Sequence, residues 1–178
     1  MRPRLGPRKL PMDTREKILT RQELSVRVAE HRTQGRRVVL ANGCFDLLHA
    51  GHVRYLDGAR RQGDVLIVAV NSNASARPLK GPGRPVLPAE ARARLVAALG
   101  AVNYVTVFDE PDVSALLTVL RPDVHAKGTD YTVETVPERE TAKRLGVRIA
   151  IVGDLKRHST GELLARLRQG GLPHGPGG

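Results

Sequence analysis

Short apolar runs, most of them rich in β-branched residues, recur through the middle of the chain. Runs of this length and composition are typical of strands buried on both faces. The five predicted strands are 38–41 (VVLA), 65–70 (VLIVAV), 102–108 (VNYVTVF), 124–126 (VHA) and 147–152 (VRIAIV).

Helical patterns separate these runs. Before the first run, Thr20 and Glu23 form a capping-box pattern, Leu24 and Val28 recur at helical spacing, and Gly35 can end a helix. Pro is favourable in a first helical turn, and Asp is a good N-cap. Further helices are predicted from Ala50, from Pro88, after a capping Asp112, from Pro137 and over 159–168 (STGELLARLR).

Strict alternation of strand and helix predicts βαβ units, and hence a Rossmann-like, doubly wound parallel sheet of five strands with helices on both faces. Right-handed crossovers place a ligand site at the carboxyl ends of the strands, near the point where strand order reverses. Pro-, Arg- and Gly-rich ends are typical of disorder. The predicted organisation is a disordered basic tail over 1–12, a helical extension over 13–37, one domain over 38–169 and a disordered Gly/Pro tail over 170–178.

Composition narrows the possible functions. The 178 residues favour one α/β domain, and only 3% are aromatic, with no Trp, so a stacking platform for single-stranded nucleic acid is excluded. The longest apolar run is far below the roughly 18 residues of a membrane span, and the N-terminus lacks the apolar region of a secretory signal. We therefore expect a cytoplasmic protein without membrane contact. A single cysteine excludes an intramolecular disulfide framework.

The net charge of +11 is concentrated near the N-terminus. Residues 1–37 hold 11 Lys or Arg against four Asp or Glu, whereas the remaining residues hold 18 against 14. Because most of the excess lies outside the predicted core, nucleic acid is not the expected partner. A basic nucleic-acid-binding protein stays open as an alternative, and its affinity would fall steeply with salt.

The candidate chemistry follows the first strand. Neither a GxxxxGK[ST] loop nor a complete GxGxxG is present. Asn42 and Gly43 are predicted to form a tight turn, and His49 and His52 fall where the next helix begins. A helix start presents free N–H groups and a positive dipole end, and residues three apart share one helix face. With Gly51 allowing close approach of a ligand, this pattern favours donation of hydrogen bonds to phosphate oxygens.

Two other interpretations of this segment are weaker. H-x-x-H supplies two zinc ligands where zinc sites use three or four, so no metal ligands are predicted from the protein. Cys44 has no assignable base that would make it a nucleophile, and we interpret it as a small loop residue.

The stretch VVLANGCFDLLHAGHVRYL resembles the signature of the cytidylyltransferase-like nucleotidyltransferases, whose H-x-G-H histidines contact the triphosphate. The segments AVNSNASARPLKGPGRPV, VHAKGTDYTVE and HSTGELL resemble one branch, the D-glycero-β-D-manno-heptose 1-phosphate adenylyltransferases, which make nucleotide-activated heptose for lipopolysaccharide core. The resemblance extends from Ile18 to Arg168 and makes 38–169 the nucleotidyltransferase domain. Some members carry an N-terminal sugar kinase domain, which is not expected at this length.

The resemblance implies a role for each matching residue. The catalytic residues would be His49, His52 and Lys80, the last in a flexible loop able to close as a lid. The nucleotide-binding residues would be Asn42, Gly43, Cys44, Phe45, His49, Gly51, His52, Lys127, Gly128, Asp130, Ser159 and Thr160. The acceptor substrate would contact Asp46, Asn71, Arg77, Lys80 and Arg84.

Some of these residues also have structural interpretations. Ser159 and Glu162 fit a capping box, Asp130 fits a turn, and Asp46 could hold the turn after the first strand instead of helping to arrange the substrate. The chain departs from the family pattern at two positions. Asn73 stands where an acidic residue is common, and Gly161 stands where many relatives continue with a hydroxyl residue.

The implied reaction transfers AMP from ATP to D-glycero-β-D-manno-heptose 1-phosphate and releases pyrophosphate. ATP and a sugar phosphate are then the expected partners, Mg²⁺ the expected cofactor, and a homodimer plausible. A cytidylyltransferase acting on an alcohol phosphate such as glycerol 3-phosphate stays open, as does a catalytically silent nucleotide sensor.

Overall fold

The predicted strands form one parallel sheet in a computed structural model, which describes residues 13–153 and Ala165. They are β1 (Val38–Gly43), β2 (Val65–Asn71), β3 (Tyr104–Phe108), β4 (Val124–Gly128) and β5 (Arg148–Val152). Their spatial order is β3-β2-β1-β4-β5, with every neighbouring pair parallel. Strand order therefore reverses between β1 and β4, and the predicted Rossmann-like fold is confirmed.

The described residues form six α-helices: α1 (Arg21–Thr33), α2 (Ala50–Arg60), α3 (Asn73–Lys80), α4 (Ala89–Ala97), α5 (Ser114–Leu120) and α6 (Arg139–Leu145). A short 3-10 helix (Thr14–Lys17) precedes them. The capping box predicted at the start of α1 is present, because Thr20 and Glu23 each accept the backbone N–H of the other. Within the residues that the structure describes, no helix combines the length and the apolar character needed to cross a membrane.

Helices cover both faces of the sheet. Along β1, Val39 and Ala41 join a buried cluster with α2 and α4, whereas Val38 and Leu40 join a second cluster with α1, α5 and α6. Successive strand side chains point to opposite faces, so a sheet covered on both sides needs apolar residues at every position. This requirement explains the unbroken apolar runs in the sequence.

The tight turn predicted at Asn42 and Gly43 is wrong. Both residues extend β1 and pair with Ala69 and Val70 of β2. Asn-Gly is a strong turn signal, but here the hydrogen bonds of a neighbouring parallel strand hold the backbone extended. The chain leaves the strand only after Gly43.

The prediction of a flexible loop around Lys80 is also wrong for the residues before Gly81. Residues 73–80 form α3, which Ser72 caps by accepting the N–H of Ser75 at 3.2 Å. Pro78 lies inside this short helix and argued against a helix in the sequence. Lys80 is therefore the last residue of a helix, and the loop begins at Gly81.

Three predicted helix starts shift by one or two residues. Pro88 is the N-cap of α4 and not its first helical residue. Val113 and not Asp112 is the N-cap of α5, although the Asp112 carboxylate still accepts the N–H of Ser114 at 2.8 Å. Helix α6 begins at Arg139 instead of Pro137. The helix predicted over 159–168 lies outside the described residues, and the domain boundaries stay predictions.

Replacing Leu24 tests whether α1 belongs to the cooperative unit formed with the sheet. Leu24 is fully buried in the cluster of α1, α5 and α6. We expect Leu24→Ala to lower the free energy of unfolding by about 2–5 kcal/mol in urea titrations, because it leaves a cavity. Val26→Ala, at an exposed position of the same helix, should cost less than about 0.5 kcal/mol. Equal stability of the two variants would show that α1 unfolds separately.

Candidate active site

Two histidines lie side by side at the N-terminus of α2, just beyond the carboxyl end of β1. His49 is the N-cap, and its Nδ1 accepts the N–H of Gly51 at 3.1 Å. The rings of His49 and His52 stack, with centroids 3.9 Å apart and planes 25° apart. Both are partly exposed. The structure therefore brings the two imidazoles together on one face, as their spacing predicts.

The capping bond of His49 determines where its ring proton resides. Because Nδ1 accepts a hydrogen bond, its lone pair is in use and the hydrogen of the neutral ring is on Nε2. His49 can thus donate from Nε2 while it caps the helix. The backbone N–H groups of the first turn and the positive end of the helix dipole add to the attraction for an anion.

Phe45 supports the second histidine. Its ring packs against His52, with centroids 5.3 Å apart, and against Tyr55, with centroids 6.4 Å apart. The backbone of Phe45 has φ 47°, in the left-handed region that non-glycine residues rarely adopt. Gly43 leaves room for the ring, since a Cβ there would lie 3.1 Å from it. This backbone conformation places the apolar ring of Phe45 against the imidazole of His52.

A buried polar network joins β1 to β4 where strand order reverses. The Asn42 Oδ1 accepts from Nε2 of His125 at 3.2 Å and from Nζ of Lys127 at 3.3 Å. The Tyr55 hydroxyl donates to the backbone oxygen of Ala126 at 2.9 Å, which ties α2 to β4. Burial, reinforced by the charge of Lys127, lowers the pKa of His125 to about 3, so this imidazole stays neutral.

Lys127 is almost completely buried beside this network. Its Nζ lies 3.4 Å from Oε2 of Glu138 and 4.6 Å from the ring centroid of Tyr131. The other carboxylate oxygen of Glu138 accepts the N–H of Val113 at 3.4 Å. The sequence analysis missed Glu138, because a Glu at a helix start is usually exposed. Only the packing of α6 against β5 and α5 brings it to Lys127.

Asp46 anchors the loop over 81–87. Its buried carboxylate forms an ion pair with Arg84 and accepts the N–H groups of Val86 at 2.7 Å and Leu87 at 3.1 Å. Burial alone would raise the pKa of Asp46, but the hydrogen bonds from Leu87, Arg84 and Val86 outweigh it and lower that pKa. These contacts hold the distant loop over 81–87, whereas the sequence analysis considered Asp46 as a residue of the turn or of the substrate side.

Arg92 is a functional candidate that the sequence analysis missed. Its fully buried guanidinium donates to the backbone oxygens of Cys44 at 2.6 Å, Asn71 at 2.7 Å and Leu87 at 2.9 Å. It also donates to Oδ1 of Asn73 at 3.0 Å. Its position on the apolar face of α4 was the available signal. These bonds join the ends of β1 and β2, the start of α3 and the loop over 81–87.

Three positively charged side chains act electrostatically on Cys44, the residue that follows β1. Burial raises the pKa of the Cys44 thiol, while the charges of Lys80, Arg92 and Arg84 act against that increase. The exposed end of α3 therefore brings Lys80 within electrostatic reach of the segment that precedes the histidines. A surface cavity of about 620 Å³ lies between the end of α3 and the loop over 81–87. Its lining residues are Arg77, Pro78, Gly81, Pro82, Gly83, Arg84 and Pro85.

The other predicted site residues differ in exposure. The side chains of Asn71 and Cys44 are buried, and the Cys44 thiol donates to Oδ1 of Asn71 at 3.6 Å. Asn71 also donates to the hydroxyl of Ser75 at 3.2 Å. Gly128 ends β4 and Asp130 is exposed shortly after it. Ser159 and Thr160 lie outside the described residues.

The donor set of the site suits an anion better than a metal ion. Both oxygens of Asp46 are occupied by protein N–H groups. Within residues 13–153 no cluster of three or more His, Cys, Asp or Glu is arranged to hold a metal. The two imidazoles and the N–H groups of the first turn of α2 instead lie just beyond the carboxyl end of β1, an arrangement that suits a phosphate.

Comparisons with known proteins agree with this geometry. The sequence profile described as cytidylyltransferase-like matches residues 40–158. The chain is 44% identical over 152 residues to the bifunctional protein HldE of Alcanivorax borkumensis, covering 85% of this chain and 32% of that protein. It is 46% identical over 140 residues to HldE of Geobacter sulfurreducens, covering 79% and 29%. The chain thus spans about a third of the length of these curated relatives.

A solved structure is similar as well. The lipopolysaccharide core biosynthesis protein from Thermoplasma volcanium GSS1 superposes with a TM-score of 0.60 and 27% sequence identity. The match covers 68% of this chain and all of the other.

The buried histidine predicts a pH dependence of stability. The folded chain keeps His125 neutral down to about pH 3, whereas the unfolded chain protonates it below 6.5. Its contribution to stability is therefore complete above about pH 6.5 and is lost as the pH falls. Between pH 6.5 and 5 we expect a loss of about 1.5 kcal/mol in the free energy of unfolding, measured in urea.

The variant His125→Gln isolates this effect. Gln keeps an N–H donor for Asn42 but does not titrate, so its stability should fall less over the same pH range. His31, whose pKa burial also lowers, is unchanged in both proteins and its contribution cancels. Identical pH slopes for the two proteins would contradict the assignment.

Proposed function

Because the chain belongs to the cytidylyltransferase-like family, we propose that it is a nucleotidyltransferase that moves AMP from ATP to D-glycero-β-D-manno-heptose 1-phosphate. The products are ADP-heptose and pyrophosphate, and the pathway is synthesis of lipopolysaccharide core precursor. The observation that carries the proposal is the stacked pair His49 and His52 at the N-terminus of α2, beside the point of strand reversal.

The acceptor assignment rests on separate support. The segments around Lys80 and Lys127 resemble the heptose 1-phosphate branch, and the relatives include HldE proteins at 44% identity. The similar solved structure is titled a lipopolysaccharide core biosynthesis protein. A sugar phosphate is therefore favoured over an alcohol phosphate as acceptor.

The reaction is an in-line displacement at the α-phosphorus of ATP. An oxygen of heptose 1-phosphate forms the new bond to phosphorus, and the bond to the bridging oxygen breaks as pyrophosphate leaves. The acceptor phosphate is already anionic at neutral pH, so it needs no strong general base. The task of the protein is orientation and stabilisation of charge on the phosphates.

The histidine pair supplies the first part of this stabilisation. His49 donates from Nε2 while its Nδ1 stays bound to Gly51, so its donor is oriented before the substrate arrives. The Phe45 ring restrains the imidazole of His52. Donors held in place in this way need no reorganisation when negative charge develops in the transition state.

The acceptor binds at the surface cavity formed by the end of α3 and the loop over 81–87. Arg77 and Arg84 line the cavity there, and Lys80 directly precedes Gly81, another lining residue. The ion pair with Asp46 orients Arg84. Lys80 then lies between the two substrates, where an ammonium can bridge the phosphates being joined.

The remaining contacts are proposed from the resemblance. The residues that would border the ribose and base are Asn42, Lys127, Gly128, Asp130, Ser159 and Thr160. Mg²⁺ would accompany ATP on the phosphate oxygens, where it keeps several waters and adds positive charge. We assign it no ligand from the chain. A homodimer and a cytoplasmic location belong to the same proposal.

A substrate screen tests the proposed function. Pyrophosphate release is measured for ATP, CTP and GTP, each with heptose 1-phosphate and with glycerol 3-phosphate. We expect a rate only for ATP with heptose 1-phosphate. A rate with CTP and glycerol 3-phosphate would instead support a cytidylyltransferase. ATP binding without turnover would indicate a nucleotide sensor, and salt-sensitive binding of nucleic acid without turnover would indicate the basic binding protein.

Two histidine variants test the roles of the pair. His49→Asn keeps a helix-capping acceptor but loses the Nε2 donor, and His52→Ala removes the second donor. We expect each to lower kcat by about 10²–10³, as the loss of one oriented donor does. His49→Asn should cost less than about 0.5 kcal/mol of stability, whereas His49→Ala should cost about 1 kcal/mol because the cap is lost.

The control is His31→Gln in α1, whose imidazole contacts Tyr104 away from the strand reversal. Its kcat should match that of the original protein. If His52→Ala retained most of the turnover, that histidine would have no part in the mechanism.

A further inference from the structure

We propose that Arg92 is a positioning residue for nucleotidyl transfer. It sets the distance between the histidine pair and the loop over 81–87. The inference rests on the proposed function and extends it to a residue outside the motifs that carry the resemblance. Arg92 is fully buried in α4 and has no place in the binding surface itself.

The four acceptors of the guanidinium belong to the segments that carry the reacting groups. Its Nη1 joins the backbone oxygens of Cys44 and Asn71, at the carboxyl ends of β1 and β2. Its Nε holds the oxygen of Leu87, in the loop, and its Nη2 holds Oδ1 of Asn73, in the first turn of α3. Because the guanidinium is a rigid plane, these bonds fix the mutual distances of the segments.

Each segment leads within a few residues to a group used in the proposed reaction. Cys44 is followed by Phe45, whose ring packs on His52, and by Asp46, which holds Arg84. The helix that begins at Asn73 ends at Lys80. One side chain therefore connects the donor side of the site to the acceptor side.

The cost of burying Arg92 argues against a merely space-filling role. In the described part of the chain its hydrogen bonds go only to neutral oxygens, and no carboxylate forms an ion pair with it. A buried cation without a counter-ion is unfavourable, and an apolar side chain could fill this volume at lower cost. What an apolar residue could not do is donate hydrogen bonds to these four oxygens.

The test compares Arg92→Lys with Arg94→Lys, an exposed position two residues along the same helix. Lysine keeps the charge but cannot reproduce the planar fork. Both variants are assayed as the full chain, well below the midpoint of cooperative unfolding measured for each. We expect Arg92→Lys to lower kcat about 10–100-fold with less than a threefold change in KM for ATP, because misalignment costs rate more than binding. Arg94→Lys should leave both unchanged.

Hydrogen exchange of the ligand-free protein gives a readout that does not depend on activity. The N–H groups of Val86 and Leu87 donate hydrogen bonds to Asp46. They should exchange about tenfold faster in Arg92→Lys than in Arg94→Lys. If the original protein transfers no nucleotide, the proposed function fails, and the exchange rates still decide whether Arg92 positions the loop.

A folded Arg92→Lys with unchanged exchange and unchanged kcat would overturn the proposal. So would a rise in KM for ATP that accounts for the whole loss of kcat/KM. If Arg92→Lys does not fold, Asn73→Ala removes one of the four acceptors and takes its place. Its kcat should then fall about three- to tenfold, and an unchanged kcat in that variant would count against the proposal.

Discussion

The reversal of strand order between β1 and β4 is the constraint on which the candidate site depends. The connections after these neighbouring strands run to opposite faces of the sheet, so a crevice opens at their carboxyl ends. Polar groups that end there need partners away from bulk water. Asn42, His125 and Lys127 supply them to one another across the two strands. The same crevice receives the N-terminus of α2, with its N–H groups and its histidine pair.

Buried charges provide the framework around this crevice. Asp46 and Arg92 act on the same loop from opposite sides, since one accepts the N–H of Leu87 and the other donates to its carbonyl oxygen. Lys127 and Glu138 form a buried ion pair beside the Asn42 network. Such groups are expensive in a core, and their cost is lowest where each one makes several hydrogen bonds. Their concentration at the carboxyl ends of the strands supports the site proposed at that edge.

Local patterns were sufficient for some residues and misleading for others. The H-x-x-H spacing implies that His49 and His52 share a helix face whatever the rest of the fold does, and they do. Asn42 and Gly43 look like a turn, but pairing with β2 holds them in a strand. Lys80 sits beside Pro and Gly, and its helix was hidden by Pro78. At Asn42 and Gly43, pairing with a neighbouring strand outweighed a strong local turn preference.

By itself, the sequence determined the alternation of strands and helices, the parallel sheet and the histidine pair, because these follow from short-range periodicity and spacing. The family followed from the resemblance of its motifs. Only the tertiary structure decided that Asp46 holds the loop, that Glu138 reaches Lys127 and that Arg92 joins the ends of β1 and β2. These contacts link residues 11 to 48 positions apart. No local pattern encodes them, since they arise when helices pack on a sheet and bring distant residues to one edge.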